Sequence, residues 1–146
     1  LVGKRTYYTN QIDAFIKSHR LEKRVHLLHD VTFQYLPAIY QQAEIFVYPS
    51  RFEGFGIPII EALHSGIPVI AATGSCLEEA GGPDSLYVHP DDKEGMTKAI
   101  CSLLNHPEKR QHMIEQGLKY VTRFSEQRQA EELMNLYRSL TEEKTI

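Results

Sequence analysis

The residues best suited to chemistry are two glutamates that flank a glycine-containing loop. Glu53 and Glu61 have seven residues between them, among which are Gly54 and Gly56. The sequence predicts a buried strand just before this loop and a helix that begins near Pro58 just after it. A strand, a glycine loop and a helix N-terminus together form an anion site, because unpaired backbone N–H groups and the helix dipole both favour negative charge.

The two carboxylates indicate which further groups would bind there. A carboxylate repels phosphate but accepts hydrogen bonds from hydroxyl groups, so its natural partners are the hydroxyls of a sugar. An acid that holds ribose beside a helix that holds pyrophosphate is a known division of roles. Taken singly, each glutamate is more simply a solvated acid, and each glycine an ordinary turn residue. In combination they predict a site for a nucleotide sugar.

Short apolar runs alternate along the chain with longer segments of helical periodicity, a pattern typical of β–α units on a parallel sheet. The predicted strands are Leu1–Val2, Val25–Leu28, Ile45–Tyr48, Pro68–Ala71 and Leu86–Val88. The predicted helices are Tyr8–Ser18, Tyr35–Gln42, Pro58–Ser65, Cys76–Ala80, Lys93–Asn105, Pro107–Val121 and Ser125–Leu140. The predicted fold class is α/β, a Rossmann-like parallel sheet flanked by helices, with functional loops at the carboxyl ends of its strands.

The length of 146 residues suits one domain followed by a C-terminal helix. Residues 1–124 are predicted to form the Rossmann-like nucleotide-sugar-binding domain, and residues 125–146 the helix and a polar tail. Apolar residues recur in that helix at steps of three and four, which predicts a stripe that docks on another surface. The tail Thr141–Ile146 is expected to fray.

The composition excludes several classes of protein. A formal net charge of -3 argues against a dominant nucleic-acid-binding surface. No apolar run approaches the ~20 residues of a membrane span. Cys76 and Cys101 are far apart in the sequence and are more simply read as intracellular thiols than as a disulfide, which favours a cytoplasmic location. Because the first residue is Leu1 and already reads as strand, we expect the chain to be a piece of a longer protein.

The segment E-G-F-G-I-P-I-I-E, from Glu53 to Glu61, resembles the E-x7-E motif of the group 1 retaining glycosyltransferases of GT-B fold. Other segments along nearly the whole chain resemble the same family: L-V-G-K, R-V-H-L-L-H-D-V, H-S-G-I-P-V-I-A, S-C-L-E-E-A-G-G, L-Y-V-H-P-D-D and F-S-E-Q. Three features depart from the family pattern. His29 stands where Gly is common, Glu78 where Pro is usual, and F-S-E-Q lacks the usual Trp. The resemblance implies that the chain is one half of a GT-B fold.

The resemblance also implies a role for each position of the motif. Glu53, the first acid of the motif, would be the catalytic residue and would contact hydroxyls of the donor sugar, whereas Glu61, the second acid, would hold the ribose hydroxyls. The segment His29–Val31 would border the nucleobase, with Val31 as the binding residue. The sugar and the distal phosphate would meet backbone groups of Gly54, Phe55, Gly56 and Ile57.

Transfer in this family retains the anomeric configuration, and the resemblance implies neither a metal nor a cofactor besides the nucleoside-diphosphate sugar. Positive charge must neutralise the departing diphosphate. The family's Arg and Lys for this task precede the strand that corresponds to Leu1–Gly3 and have no counterpart in the chain. Lys4, Arg5 and Arg51 are candidates, although each is more simply a solvated surface charge.

The carbohydrate or lipid-linked acceptor would bind an N-terminal domain that the chain lacks. The isolated chain is therefore expected to bind the donor weakly and to transfer nothing efficiently. The C-terminal helix could dock on its own domain or on that missing one. Basic residues within Lys17–Arg24 leave peripheral membrane association open.

A non-catalytic nucleotide-sugar-binding or regulatory module would keep the same site and is the main alternative. A receiver-type signalling domain is set aside, because Gly3-Lys4 and Tyr48-Pro49-Ser50 stand where its acidic residues belong. His26 and His29 would face opposite sides of a strand and make a poor metal chelate. The sequence leaves the nucleobase, the sugar and the acceptor open.

Overall fold

A computed structural model describes residues 1–142, and the chain divides into two compact units, Leu1–Ile39 and Tyr40–Ile146. The last four residues of the predicted tail lie outside the described residues. Helix α1 spans Tyr7–Ser18 in the first unit, and a 3-10 turn at Phe33–Tyr35 leads into helix α2, Leu36–Gln41, whose last two residues belong to the second unit.

The first two predicted strands are shorter than expected. Leu1–Val2 and Val25–Leu28 form one parallel bridge, between Val2 and Leu28, where the Leu28 amide donates to the Leu1 carbonyl at 2.8 Å. The Leu1 ammonium also donates to the His26 carbonyl at 2.7 Å. Val2 is 49% exposed and Leu28 is 41% exposed. Because so little apolar surface is buried at this pair, packing does not extend the ladder beyond it.

The second unit contains the sheet. Strands β1 (Phe46–Tyr48), β2 (Val69–Ala72) and β3 (Leu86–Val88) alternate with helices α3 (Ile57–His64) and α4 (Leu77–Gly81). Both strand pairs are parallel, in the order β1-β2-β3. The chain continues through α5 (Lys93–Asn105), α6 (Pro107–Val121), a 3-10 turn (Thr122–Phe124) and α7 (Glu126–Glu142). The predicted α/β class with a parallel sheet flanked by helices is confirmed.

Both faces of this sheet are covered, which explains the apolar runs in the strands. Phe46 and Tyr48 pack against one hydrophobic cluster, to which Val69 also belongs. Val47 and Ile70 pack in a second cluster on the opposite face. Phe46 and Tyr48 share a face because side chains alternate along a strand. Both aromatic side chains of β1 therefore lie on the side of the sheet where α3 packs.

The apolar stripe of α7 is not covered by the described part of the chain. Every described side chain of this helix is exposed. The larger apolar side chains are between 48% and 55% exposed: Leu133, Met134, Leu136, Tyr137 and Leu140. Among the described side chains of α7 none is buried, and the surface on which this helix docks stays a prediction. Within residues 1–142, no helix is both long and apolar enough to cross a membrane.

Candidate functional site

The candidate site lies at the carboxyl edge of the parallel sheet, where the loops after the strands meet. Two contacts tie the loop after β1 to its neighbours. The Cys76 thiol, at the start of α4, donates to the Glu53 carbonyl at 3.2 Å. Arg51 forms a two-pronged ion pair with Asp91, which follows β3. The loop that carries Glu53 is thereby held from two sides.

Glu53 is held by two hydroxyl groups. The Tyr48 phenol donates to Oε1 of Glu53 at 2.6 Å, and the Ser50 hydroxyl donates to the same oxygen at 2.8 Å. These bonds, the one from Tyr48 first, lower the pKa of Glu53 below its ordinary value. The side chain is therefore an ionised carboxylate at neutral pH and can accept hydrogen bonds from ligand hydroxyls.

Glu61 has its own phenol partner. It lies one turn into α3, and its Oε2 accepts a hydrogen bond of 3.0 Å from the Tyr40 hydroxyl. That hydroxyl also lies 3.4 Å from the Pro58 carbonyl. Burial, followed by the bond to Glu61, raises the pKa of Tyr40 well above its ordinary value. Tyr40 thus remains a hydrogen-bond donor at any physiological pH.

A row of three aromatic rings joins the two acids. The rings of Tyr40 and Phe46 have centroids 5.4 Å apart, and those of Phe46 and Tyr48 have centroids 5.7 Å apart in a stacked arrangement. Glu61 is bonded to one end of this row and Glu53 to the other. The hydrogen-bond partners of the two carboxylates are therefore linked by a continuous row of ring contacts, and a shared ligand site stays a prediction.

The loop between the acids ends at Gly56, which is buried and precedes the first residue of α3. No side chain caps this helix N-terminus, and its first turn contains no acid. In the described chain, the amides of Gly56 and Ile57 donate to no carbonyl or side chain. These two N–H groups could donate hydrogen bonds to a phosphate oxygen.

Gly56 is expected to tolerate no side chain. Its φ is +101°, and an added Cβ would lie 2.9 Å from Cδ2 of Leu77 and 3.1 Å from Cβ of Ala80. Gly56→Ala should lower the free energy of unfolding by about 2–4 kcal/mol, because backbone strain adds to a clash with α4. Urea unfolding of the purified chain measures this loss.

Gly54→Ala is the matched control, because no atom lies within 4 Å of its added Cβ. We expect this variant to unfold within about 0.5 kcal/mol of the parent chain. Equal stability of the two variants would contradict the close approach of the loop to α4.

The structure places the other predicted binding residues as follows. Gly54 and Ile57 are exposed, and Phe55 is partly buried, with its ring edge-on to Phe124 at 5.7 Å between centroids. Val31 is partly buried within the first unit. The binding roles of these residues, and of Glu53 and Glu61, stay predictions.

The candidate cations differ in their surroundings. Lys4 and Arg5 are exposed residues of the first unit. Arg51 is engaged by Asp91, and this ion pair lowers the pKa of the Asp91 carboxyl. Among residues 1–142, no group of three or more His, Cys, Asp and Glu side chains could hold a metal ion. The expectation of a metal-independent reaction stays a prediction.

Sequence reasoning missed the three hydroxyl donors to the acids. The alternation of side chains along β1 could have placed the ring of Tyr48 on the face of the sheet that packs against α3. Ser50 lies only three positions before Glu53 in the sequence. No local sequence signal could have identified Tyr40 as a partner of Glu61, because the two residues are 21 positions apart and meet only through tertiary packing.

The comparisons with known proteins agree with the geometry. The model of the family described as glycosyl transferases group 1 matches residues 1–120. The chain is 37% identical over 108 residues to O-antigen chain mannosyltransferase RfbU of Salmonella typhimurium, covering 74% of this chain and 31% of that protein. It is 30% identical over 140 residues to O-antigen chain mannosyltransferase B of Escherichia coli, covering 96% of this chain and 37% of that protein.

Solved structures of related proteins share the fold. A sucrose-phosphate synthase from Thermosynechococcus elongatus superposes with a TM-score of 0.83 at 28% identity, over 99% of this chain and 38% of that one. Anabaena HepE, solved in complex with UDP, superposes with a TM-score of 0.81 at 22% identity, over 92% of this chain and 40% of that one. The chain thus spans about a third of the length of the curated relatives it matches.

Proposed function

Because the chain belongs to the group 1 glycosyl transferases, we propose that it is the donor-binding part of an enzyme that transfers a sugar from a nucleoside diphosphate to an acceptor. The observation that supports the proposal is the ring row Tyr40–Phe46–Tyr48, whose two phenols hold Glu61 and Glu53 by hydrogen bonds. The uncapped start of α3 lies between these acids in sequence and supplies the phosphate-binding amides.

In this proposal, the two acids have different tasks. Glu61 accepts hydrogen bonds from the ribose hydroxyls and thereby fixes the nucleotide. Glu53, ionised and held by Tyr48 and Ser50, binds hydroxyls of the donor sugar and stabilises the positive charge that develops as the glycosidic bond breaks. Backbone groups from Gly54 to Ile57 meet the sugar and the distal phosphate.

The reaction we propose retains the anomeric configuration and needs no metal. The acceptor oxygen bonds to the anomeric carbon on the face from which the diphosphate leaves, through an oxocarbenium-like state, and the acceptor proton passes to the departing phosphate. We assign the acceptor site, and the main cations for the diphosphate, to the remaining two thirds of the longer protein. A cytoplasmic location and peripheral membrane contact stay predictions.

The experiment is a transfer assay on the full-length protein. Sugar donors carrying uracil, guanine or adenine are tested, beginning with mannose because both relatives above are mannosyltransferases. We expect one donor to support transfer, with NMR of the product showing a retained anomeric configuration. Donor binding without transfer to any acceptor or water would favour the alternative of a regulatory module. Absence of donor binding would contradict both functions.

We also propose that residues 1–124 form the donor domain and that α7 docks on the remainder of the full-length protein. Leu136→Ser in that protein should then lower its free energy of unfolding by about 2 kcal/mol, since Leu136, which is 53% exposed here, would be buried at the proposed interface. Urea unfolding measures the effect. Glu131→Ser, on another face of α7, is the control and should change stability by less than about 0.5 kcal/mol. Equal effects would argue against docking through the apolar stripe.

A further inference from the structure

The carboxylate of Glu53 accepts a hydrogen bond from a residue outside its own loop. Tyr48 is the last residue of β1, and its phenol makes the shorter of the two hydrogen bonds to Oε1 of Glu53, 2.6 Å against 2.8 Å from Ser50. We propose that Tyr48 is a positioning residue, which acts through Glu53 by fixing the direction of its carboxylate. This inference rests on the proposed function.

The phenol of Tyr48 is held by the sheet rather than by a loop. Its strand residue pairs with Ala71 of β2, and its ring stacks on Phe46 with an angle of 18° between ring planes. Both contacts restrict the ring to one orientation, so its hydroxyl is a fixed donor. The loop carrying Glu53 follows β1 directly, and the hydrogen bond transfers the rigidity of the sheet to a loop side chain.

Two donors share one oxygen of Glu53. Tyr48 and Ser50 both donate to Oε1, whereas within residues 1–142 no hydrogen bond reaches Oε2. The protein thus holds one carboxylate oxygen in place and leaves the other to accept hydrogen bonds from the hydroxyl groups of a ligand. A carboxylate fixed at one oxygen retains only the rotation that its two donors allow, so its other oxygen is preorganised.

The protonation states support this role. The pKa of Tyr48 is raised, by burial first and then by Glu53, so the phenol remains a donor. The pKa of Glu53 is lowered, by Tyr48 first, so the carboxylate stays ionised to a lower pH than an unassisted glutamate. If Tyr48 no longer donates, the pKa of Glu53 must rise, and activity that needs the ionised form must be lost at a higher pH during acidification.

The test uses Tyr48→Phe in the full-length protein, with kcat and KM for the donor sugar measured across pH. We expect kcat to fall about tenfold, as for loss of one hydrogen bond to a charged group. We also expect the acidic limb of the pH profile to move to higher pH. Ser50→Ala should move the limb in the same direction, whereas Ser50→Thr, which keeps a hydroxyl, should not.

Tyr120→Phe is the matched control. It also removes a phenol hydrogen bond of 2.6 Å, but one made to the Glu79 carbonyl. This variant should keep both kcat and the acidic limb. Tyr40→Phe removes the phenol bonded to the other acid and should raise KM for the donor with little change in the acidic limb.

An unchanged acidic limb in Tyr48→Phe and in Ser50→Ala would overturn the inference, whether or not kcat falls. The Ser50 pair checks that the acidic limb reports the Glu53 carboxylate, and if Tyr48→Phe fails to fold, Tyr48→His, which keeps a ring but not the phenol, takes its place. Failure of the proposed function is distinguishable, because then Glu53→Gln itself would retain transfer. Loss of transfer in Glu53→Gln together with an unmoved limb in both hydroxyl variants would refute only the role of Tyr48.

Discussion

Glu53→Gln in the full-length protein should lower kcat for sugar transfer by about 100- to 1,000-fold and change the Kd of the bare nucleoside diphosphate by less than about threefold. Glutamine keeps the size of the side chain and an oxygen that can accept from Tyr48 and Ser50. It removes the negative charge that is proposed to stabilise the positive charge developing at the anomeric carbon. Steady-state transfer kinetics and calorimetric titration of the nucleotide measure the two effects separately.

Glu115→Gln is the control, because Glu115 is an exposed acid of α6 bonded to Gln111. This variant should transfer sugar at the parent rate. If Glu53→Gln weakened nucleotide binding as much as transfer, then Glu53 would hold the nucleotide, and the proposed assignment of the two acids would be reversed.

Glu61→Ala should weaken binding of the bare nucleotide by about 1.5–3 kcal/mol, or roughly 10- to 100-fold in Kd. The reason is the loss of a carboxylate that accepts from the ribose hydroxyls. Glu61 lies on α3, and Tyr40 holds its Oε2 at 3.0 Å, so its direction is fixed before a ligand arrives. Calorimetric titration with the nucleoside diphosphate of the active donor gives the two dissociation constants.

The nucleotide provides a sharper control than a second protein variant. A 2′,3′-dideoxy nucleotide lacks the hydroxyls that Glu61 is proposed to bind. The parent protein should lose affinity for this analogue, whereas Glu61→Ala should bind both nucleotides about equally. If the variant still preferred the hydroxylated nucleotide by the parent's full margin, the ribose would be held elsewhere. Unfolding curves of the variant check that α3 remains folded.

Local sequence signals predicted most of the fold. The bounds of α5 and α6 agree with expectation because Asp92 caps one helix through the Gly95 amide and Pro107 begins the other. β3 also agrees, and β1 and β2 differ by about one residue at their ends. The first two predicted strands form a single bridge rather than a longer ladder. Extended pairing depends on whether other elements cover the two strands, and the local sequence pattern does not show whether they do.

The site could be predicted only in part for the same reason. Gly54 and Gly56 were both recognised in the loop, but only the structure distinguishes them, since φ and the approach of α4 are properties of packing. The hydroxyl partners of the acids likewise depend on which side chains the sheet and α3 bring together. The spacing of Glu53 and Glu61 predicted one site. The ring row between their phenol partners depends on tertiary packing, which the spacing does not show.

Phe124 has a practical consequence for anyone who shortens this protein. Its ring packs edge-on against Phe55 of the loop and against Tyr120 of α6, and it stands two positions before α7. A truncation after Val121 would delete Phe124 and leave one side of Phe55 bare, even though it removes no part of the sheet. A truncation after Ser125 retains this support and removes only the solvent-facing helix. Where the cut is made will therefore decide whether a minimal donor domain keeps its loop in place.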